Sequence, residues 1–184
     1  MKTIFTLALF CFFQFISFAQ SPVLTAATTN LQIGESITAQ GFAYLAPGSN
    51  GASQTWDFST VTSLGSGNFT TIAPATTANA ASFPAATVTT RQTSPNPTYN
   101  YYSASANSWN VEGYVFSNGM VLAYTDIAKQ MNYPFSLDST FTDSYSGSYL
   151  SGSNTITRNG NITVTADAYG TLILPTGTFN NVRP

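Results

Sequence analysis

"TYNYYSASANSWNVEGYVF", residues 98–116, decides the fold. Successive side chains of a strand point to opposite faces, so Tyr99 and Tyr101 fall on one face of the segment 98–104. Residues 108–116 repeat the aromatic and β-branched character, and Ser105 to Asn107 separate the two runs with turn formers. Two such runs joined by a short polar loop read as a β-hairpin, with Trp109 lying across it from the tyrosines.

The same grammar extends outward. "GESITAQGF" (34–42), "SQTWDFSTV" (53–61), "GNFTTIA" (67–73) and "TVTTRQ" (87–92) are short segments bounded by Gly, Pro or Asn. The run 87–92 is closed by Pro95 and Pro97. In the second segment Trp56 and Phe58 share one face, and Thr55 and Asp57 the other. "MVLAYTD" and "FTDSYSGSYL" (141–150) follow. "TITR" (155–158) and "NITVTADAYG" (161–170) flank Asn159-Gly160, a pair that suits a type I′ hairpin turn because both central positions need positive φ. The polar residues throughout are Ser, Thr, Asn and Gln, which fit turns and pleated surfaces better than helix surfaces. Strands spaced about ten residues apart suit a sandwich or barrel.

Two stretches depart from this pattern. The Ala-rich 75–87, confined by Pro74 and Pro84, can hold a turn of helix, and "DIAKQM" (126–131) has Asp126 where an N-cap would sit. The expectation is an all-β fold, an antiparallel β-sandwich with a partly open β-barrel as the alternative, carrying at most one or two short helical turns.

Residues 1–19 read as a signal peptide: Lys2, an apolar run over 4–18, and Ser17-Phe18-Ala19 as the cleavage signal. The run is shorter than the roughly 20 apolar residues a membrane span needs. The remaining residues, 20–184, read as a single β-rich domain, long enough to bury about 70 per cent of its unfolded surface. Cys11 is the sole cysteine and departs with the signal, so disulfides play no part. The closing "YGTLILPTGTFNNVRP" (169–184) restarts a strand at Thr178 and meets Pro184, which would block ladder pairing. The domain is therefore read as cut short at its C-terminal end.

Composition excludes several chemistries. The sequence has no His, and no Cys after cleavage. That removes Ser-His-Asp and Cys-His catalysis and zinc or copper sites built on imidazole or thiolate. Four basic residues, Arg91, Lys129, Arg158 and Arg183, remain against seven acids, too few for a nucleic-acid surface. No glycine-rich phosphate loop is present.

Taken in order, "IGES", "PGSNGASQTWDFSTV", "SFPAATV", "YYSASANSW", "YPFSLDSTFTDSYSGSY" and "GNITVTADAYGTLILPTGTFNNV" resemble the amino-terminal region of secreted Bacteroidetes proteins. That family typically carries a carboxy-terminal sorting domain for type IX secretion. The likeness is most specific at 51–58 and 166–182, and the chain departs from the family's pattern at Arg183-Pro184. The resemblance implies a secreted or cell-surface β-domain and supplies no catalytic residues.

Candidate sites are few. Tyr99, Tyr101 and Trp109 could form an aromatic platform for sugar rings if their face is open, and are core if it is not. Asp138 and Asp143 flank "STFT" and could share a calcium ion, the one cofactor the sequence suggests, although the spacing is not that of an EF-hand. Asp57 reads as a turn cap. Glu35 and Glu112 are the only glutamates available to a two-carboxylate glycosidase. The leading reading is a secreted or surface non-enzymatic β-domain serving adhesion or carbohydrate binding, its partners extracellular glycans or surface components. A β-sandwich polysaccharide hydrolase and a structural spacer for a downstream module are the alternatives.

Overall fold

The structure, a computed structural model, describes residues 21–93 and 97–182. The expected signal peptide and the roles given to Pro95, Arg183 and Pro184 lie outside the described residues. The strands are β1 (Ser36–Phe42), β2 (Gly51–Asp57), β3 (Ser63–Ile72), β4 (Val88–Gln92), β5 (Thr98–Ala104) and β6 (Ser108–Val115). They continue with β7 (Val121–Asn132), β8 (Thr140–Ser151), β9 (Asn154–Thr165), β10 (Ala168–Leu174) and β11 (Gly177–Val182). Helix among the described residues is confined to the turn Ala26–Thr29 and two 3-10 turns, Pro74–Thr76 and Ala80–Ser82.

The fold is an all-β sandwich of two sheets with no closed barrel. Eight strands form one antiparallel sheet in the order β1-β3-β4-β5-β6-β7-β8-β9, a meander from β3 onward. Between β1 and β3 the chain leaves to make β2, which joins β10 and β11 in a second sheet of order β11-β10-β2. The β2–β10 pair is parallel, the one exception to antiparallel pairing among the described residues. All of the large sheet except β1 intervenes in the chain between these two strands, which supplies the long connection that parallel neighbours require. Trp56 is buried on β2 while Thr55 and Asp57 are exposed, the alternation read from the sequence.

The core is organised by the segment 73–87 that crosses from β3 to β4. Phe83 stacks on Tyr101 with ring centroids 3.9 Å apart and planes 14° from parallel. Val115 joins them, with Ala86, Tyr99, Val121 and Ala123 packed around. Gly113 on β6 makes the approach possible, because a Cβ there would lie 2.6 Å from Phe83 Cε1 and collide with the Leu122 carbonyl. The crossover also supplies the polar partner that a buried phenol needs: Tyr101 Oη donates to Thr77 Oγ1 at 2.7 Å. On the opposite face, Val111, Leu122, Tyr124 and Ala128 form a second cluster, walled by partly buried rings that include Tyr102, Tyr114 and Tyr145.

Two local expectations are corrected. Residues 126–131 are strand, not helix, because β7 runs unbroken through them and pairs with β6 and β8 on its two sides. Tertiary pairing overrides a single cap signal. Asn159-Gly160 is no turn either. It lies inside β9, whose register with β8 continues over twelve pairs from Thr140↔Thr165 to Ser151↔Asn154. The reversal occurs at Gly152, which has φ +63°. Gly160 instead makes room for Tyr145 across the ladder, since a Cβ would lie 2.7 Å from its hydroxyl. At the other end of the chain β11 spans six residues and pairs antiparallel with β10, an ordinary strand length.

Candidate functional site

The three rings of the expected platform do not share a face. Tyr99 and Tyr101 lie together under the crossover, centroids 6.5 Å apart, and Tyr101 has no exposed surface. Trp109 turns to the other face and stacks on Tyr102 at 4.7 Å. Tyr99 and Trp109 are half-buried. The hairpin is as the sequence indicated, but its rings belong largely to packing.

The acids are dispersed as well. Asp138 occupies an exposed turn with φ +65°, its N–H donating to the Ala166 carbonyl at 2.8 Å. Asp143 lies half-buried on β8, where Oδ2 accepts the Lys129 N–H at 2.7 Å. Among the described residues no group of three His, Cys, Asp or Glu side chains gathers as metal ligands would, so the pair gains no third acidic ligand. Glu35 Oε2 accepts the Gln32 N–H at 2.8 Å just before β1, whereas Glu112 is buried on β6. Four strand spacings separate β1 from β6, about 19 Å, well outside the range of a carboxylate pair that cleaves glycosides. Asp57 Oδ1 accepts the Ser59 N–H at 2.9 Å. Hydrogen bonds from Ser59, side chain foremost and then backbone, hold that carboxyl below its ordinary range. It is a turn cap.

What the fold does assemble lies on β7, β8 and β9. On β8 the core-facing Phe141, Asp143, Tyr145 and Tyr149 alternate with Thr140, Thr142, Ser144, Ser146 and Ser148. The register sets these outward residues against Thr165, Thr163, Asn161, Asn159 and Thr157 of β9, all of them exposed. Five consecutive cross-strand pairs therefore present only hydroxyls and amides. This is the same sheet face that carries Tyr101, for Ala123 beside that core pairs with Ser148. Over β8 and β9 nothing in the described chain covers it.

A bulge between Tyr124 and Asp126 carries β7 into the array, since an extra residue redirects the side chains that follow. Ser144 Oγ donates to Asp126 Oδ2 at 2.9 Å, and Thr125 Oγ1 donates to the Ser146 carbonyl at 3.3 Å. Two shallow cavities adjoin here. One, of about 350 Å³, is lined by Asp126, Ser144, Ser146, Asn159 and Asn161 among others. The second, of about 550 Å³, includes Thr142, Ser144, Asn161 and Thr163. Sequence reasoning missed this site. The false turn at Asn159-Gly160 cut β9 in two, and no sequence signal placed a bulge at Thr125.

A separate cleft of about 430 Å³ lies between β1 and the β10–β11 turn, lined by Thr38, Gln40, Phe42, Leu174, Pro175 and Thr176, with no ionisable group. No helix among the described residues is long and apolar enough to cross a membrane. The chain matches no protein-family model, no curated protein and no solved structure.

Proposed function

We propose that the protein is an exported, non-enzymatic β-domain acting at or beyond the cell surface, and that the open face of β7–β9 binds neutral carbohydrate. The observation that carries this reading is the run of hydroxyl and amide pairs on β8 and β9 with the Asp126–Ser144 contact at its rim. Sugar hydroxyls both donate and accept, so they match side chains that do the same. Asp126 Oδ2 is already oriented by Ser144, and a carboxylate strengthens the hydrogen bonds it accepts. The signal peptide and the resemblance to secreted Bacteroidetes proteins support export, with type IX secretion as its route. The separation of Glu35 from Glu112 disfavours the hydrolase reading built on that pair.

The magnitude follows from the chemistry. Neutral hydrogen bonds to exposed groups contribute about 0.5–1.5 kcal/mol each after water is displaced. A few of them yield a Kd on the order of millimolar, and useful adhesion then comes from several domains engaging one surface. A glycan array probed with multivalently displayed protein tests this. Retention on neutral glycans that is abolished by Asn161→Ala supports the proposal. No retention on any glycan, or retention indifferent to Asn161→Ala, overturns it and leaves the spacer reading.

A further inference from the structure

Strand β9 closes the large sheet, and among the described residues only β8 pairs with it. Its other edge presents a row of backbone N–H and C=O groups, the template on which another strand adds. Natural edges are usually guarded by Lys, Pro, bulges or brevity. This one has twelve residues, no Pro, no Lys and no acid, and its ladder with β8 is free of bulges. Its single charge, Arg158, lies over the Tyr114 ring with Cζ 5.6 Å from the centroid.

The sequence of this edge names its partner. "TITRNGNITVT", residues 155–165, is nearly symmetric about Gly160. Thr155 mirrors Thr165, Thr157 mirrors Thr163 and Asn159 mirrors Asn161, Ile156 faces the similar β-branched Val164, and only Arg158 and Ile162 differ in character. We propose that β9 pairs antiparallel with β9 of a second copy of this chain, about a two-fold axis at Gly160.

Such a contact is isologous, as two-fold dimers require. It sets Thr155 opposite the second copy's Thr165, and Asn159 opposite its Asn161, so one face continues the hydroxyl and amide array without a break. On the other face each Ile156, which is 38% exposed, meets a Val164 and each Arg158 an Ile162, so no like charges oppose. Pairing eleven residues makes about ten backbone hydrogen bonds, the number a typical interface carries. The other free edge of this sheet is a poorer candidate: β1 has seven residues, a register shift at Gly41/Phe42 and no internal symmetry. The pairing stands independently of the carbohydrate reading.

Charge-swapped variants at Thr155 and Thr165, which are exposed and outside both cavities, test the pairing by sedimentation equilibrium. The unaltered protein is expected to be a dimer. Thr155→Lys with Thr165→Lys in one chain sets Lys opposite Lys at both ends of the contact and should weaken the dimer at least about tenfold, since like charges directly opposite destabilise. Thr155→Glu with Thr165→Glu should do the same, and an equimolar mixture of the two variants should restore a heterodimer. A monomeric unaltered protein, a lysine variant that still dimerises fully, or a mixture that stays monomeric overturns the proposal.

Discussion

One face of one sheet serves two purposes in this molecule. Over β5, β6 and β7 it is roofed by the crossover 73–87, and there it carries Tyr101, Val115 and Ala123 against Phe83. Over β8 and β9 the roof ends, and the same face carries Thr, Ser and Asn on both strands. Both regions are antiparallel ladders with period-2 side chains. What separates core from surface is coverage, supplied by a segment that is itself almost without regular structure. A ring in the first region is therefore a packing element, and a polar side chain in the second is free to meet a ligand.

Removing the roof's anchor gives the largest break in this contrast. Phe83→Ala should destabilise the fold by about 3–5 kcal/mol, the range for deleting a buried aromatic ring, measured by denaturant unfolding. A loss under about 1 kcal/mol would mean that the crossover does not hold the core.

Alkaline pH probes the buried phenols on both faces of the covered region. Burial, with lesser contributions from neighbouring groups such as Tyr114, pushes the Tyr124 phenol up to about 12, and burial likewise raises Tyr101 and Tyr102. Unfolded tyrosines ionise near 10. Because the folded values are raised, the folded state binds more protons between pH 10 and 12, and stability falls with rising pH there. This contribution is fully present below pH 10. Unfolding midpoints in urea, stepped through that window, should decline, and Tyr124→Phe should flatten the decline. A curve unchanged by Tyr124→Phe would show that this phenol does not drive it.

A smaller and opposite effect is expected at Thr89. This residue is fully buried and its Oγ1 has no hydrogen-bond partner. An unpaired buried hydroxyl costs about 1–3 kcal/mol, so Thr89→Val should raise stability by about 1 kcal/mol. At exposed Thr157 the same exchange should stay within about 0.5 kcal/mol. Equal effects at both sites would erase the distinction between the regions.

Most of the architecture was legible in the sequence because it rests on local grammar. Alternation placed β5 and β6 nearly to the residue, and Ser, Thr and Asn in place of Lys and Glu set the all-β class. What could not be read depends on contacts between distant segments. Tyr101 looks the same in the sequence whether or not Phe83 lies on it. Asn159-Gly160 carries the strongest local turn signal in the chain, yet its register with β8 and the fit of Gly160 to Tyr145 keep it extended. Asp126 resembles a helix cap until β6 and β8 pair with β7 on either side. The parallel β2–β10 contact joins strands far apart in the chain, and no local pattern encodes it.

The central claim is that recognition belongs to the uncovered polar face and not to the aromatic hairpin. Affinity electrophoresis in gels containing a neutral polysaccharide that the protein retains tests it most directly, comparing Asp126→Ala with Tyr99→Ala. The account expects Asp126→Ala to migrate freely, with loss of at least tenfold in apparent affinity, while Tyr99→Ala stays retarded like the unaltered protein. Retardation that survives Asp126→Ala and vanishes in a folded Tyr99→Ala protein would contradict it.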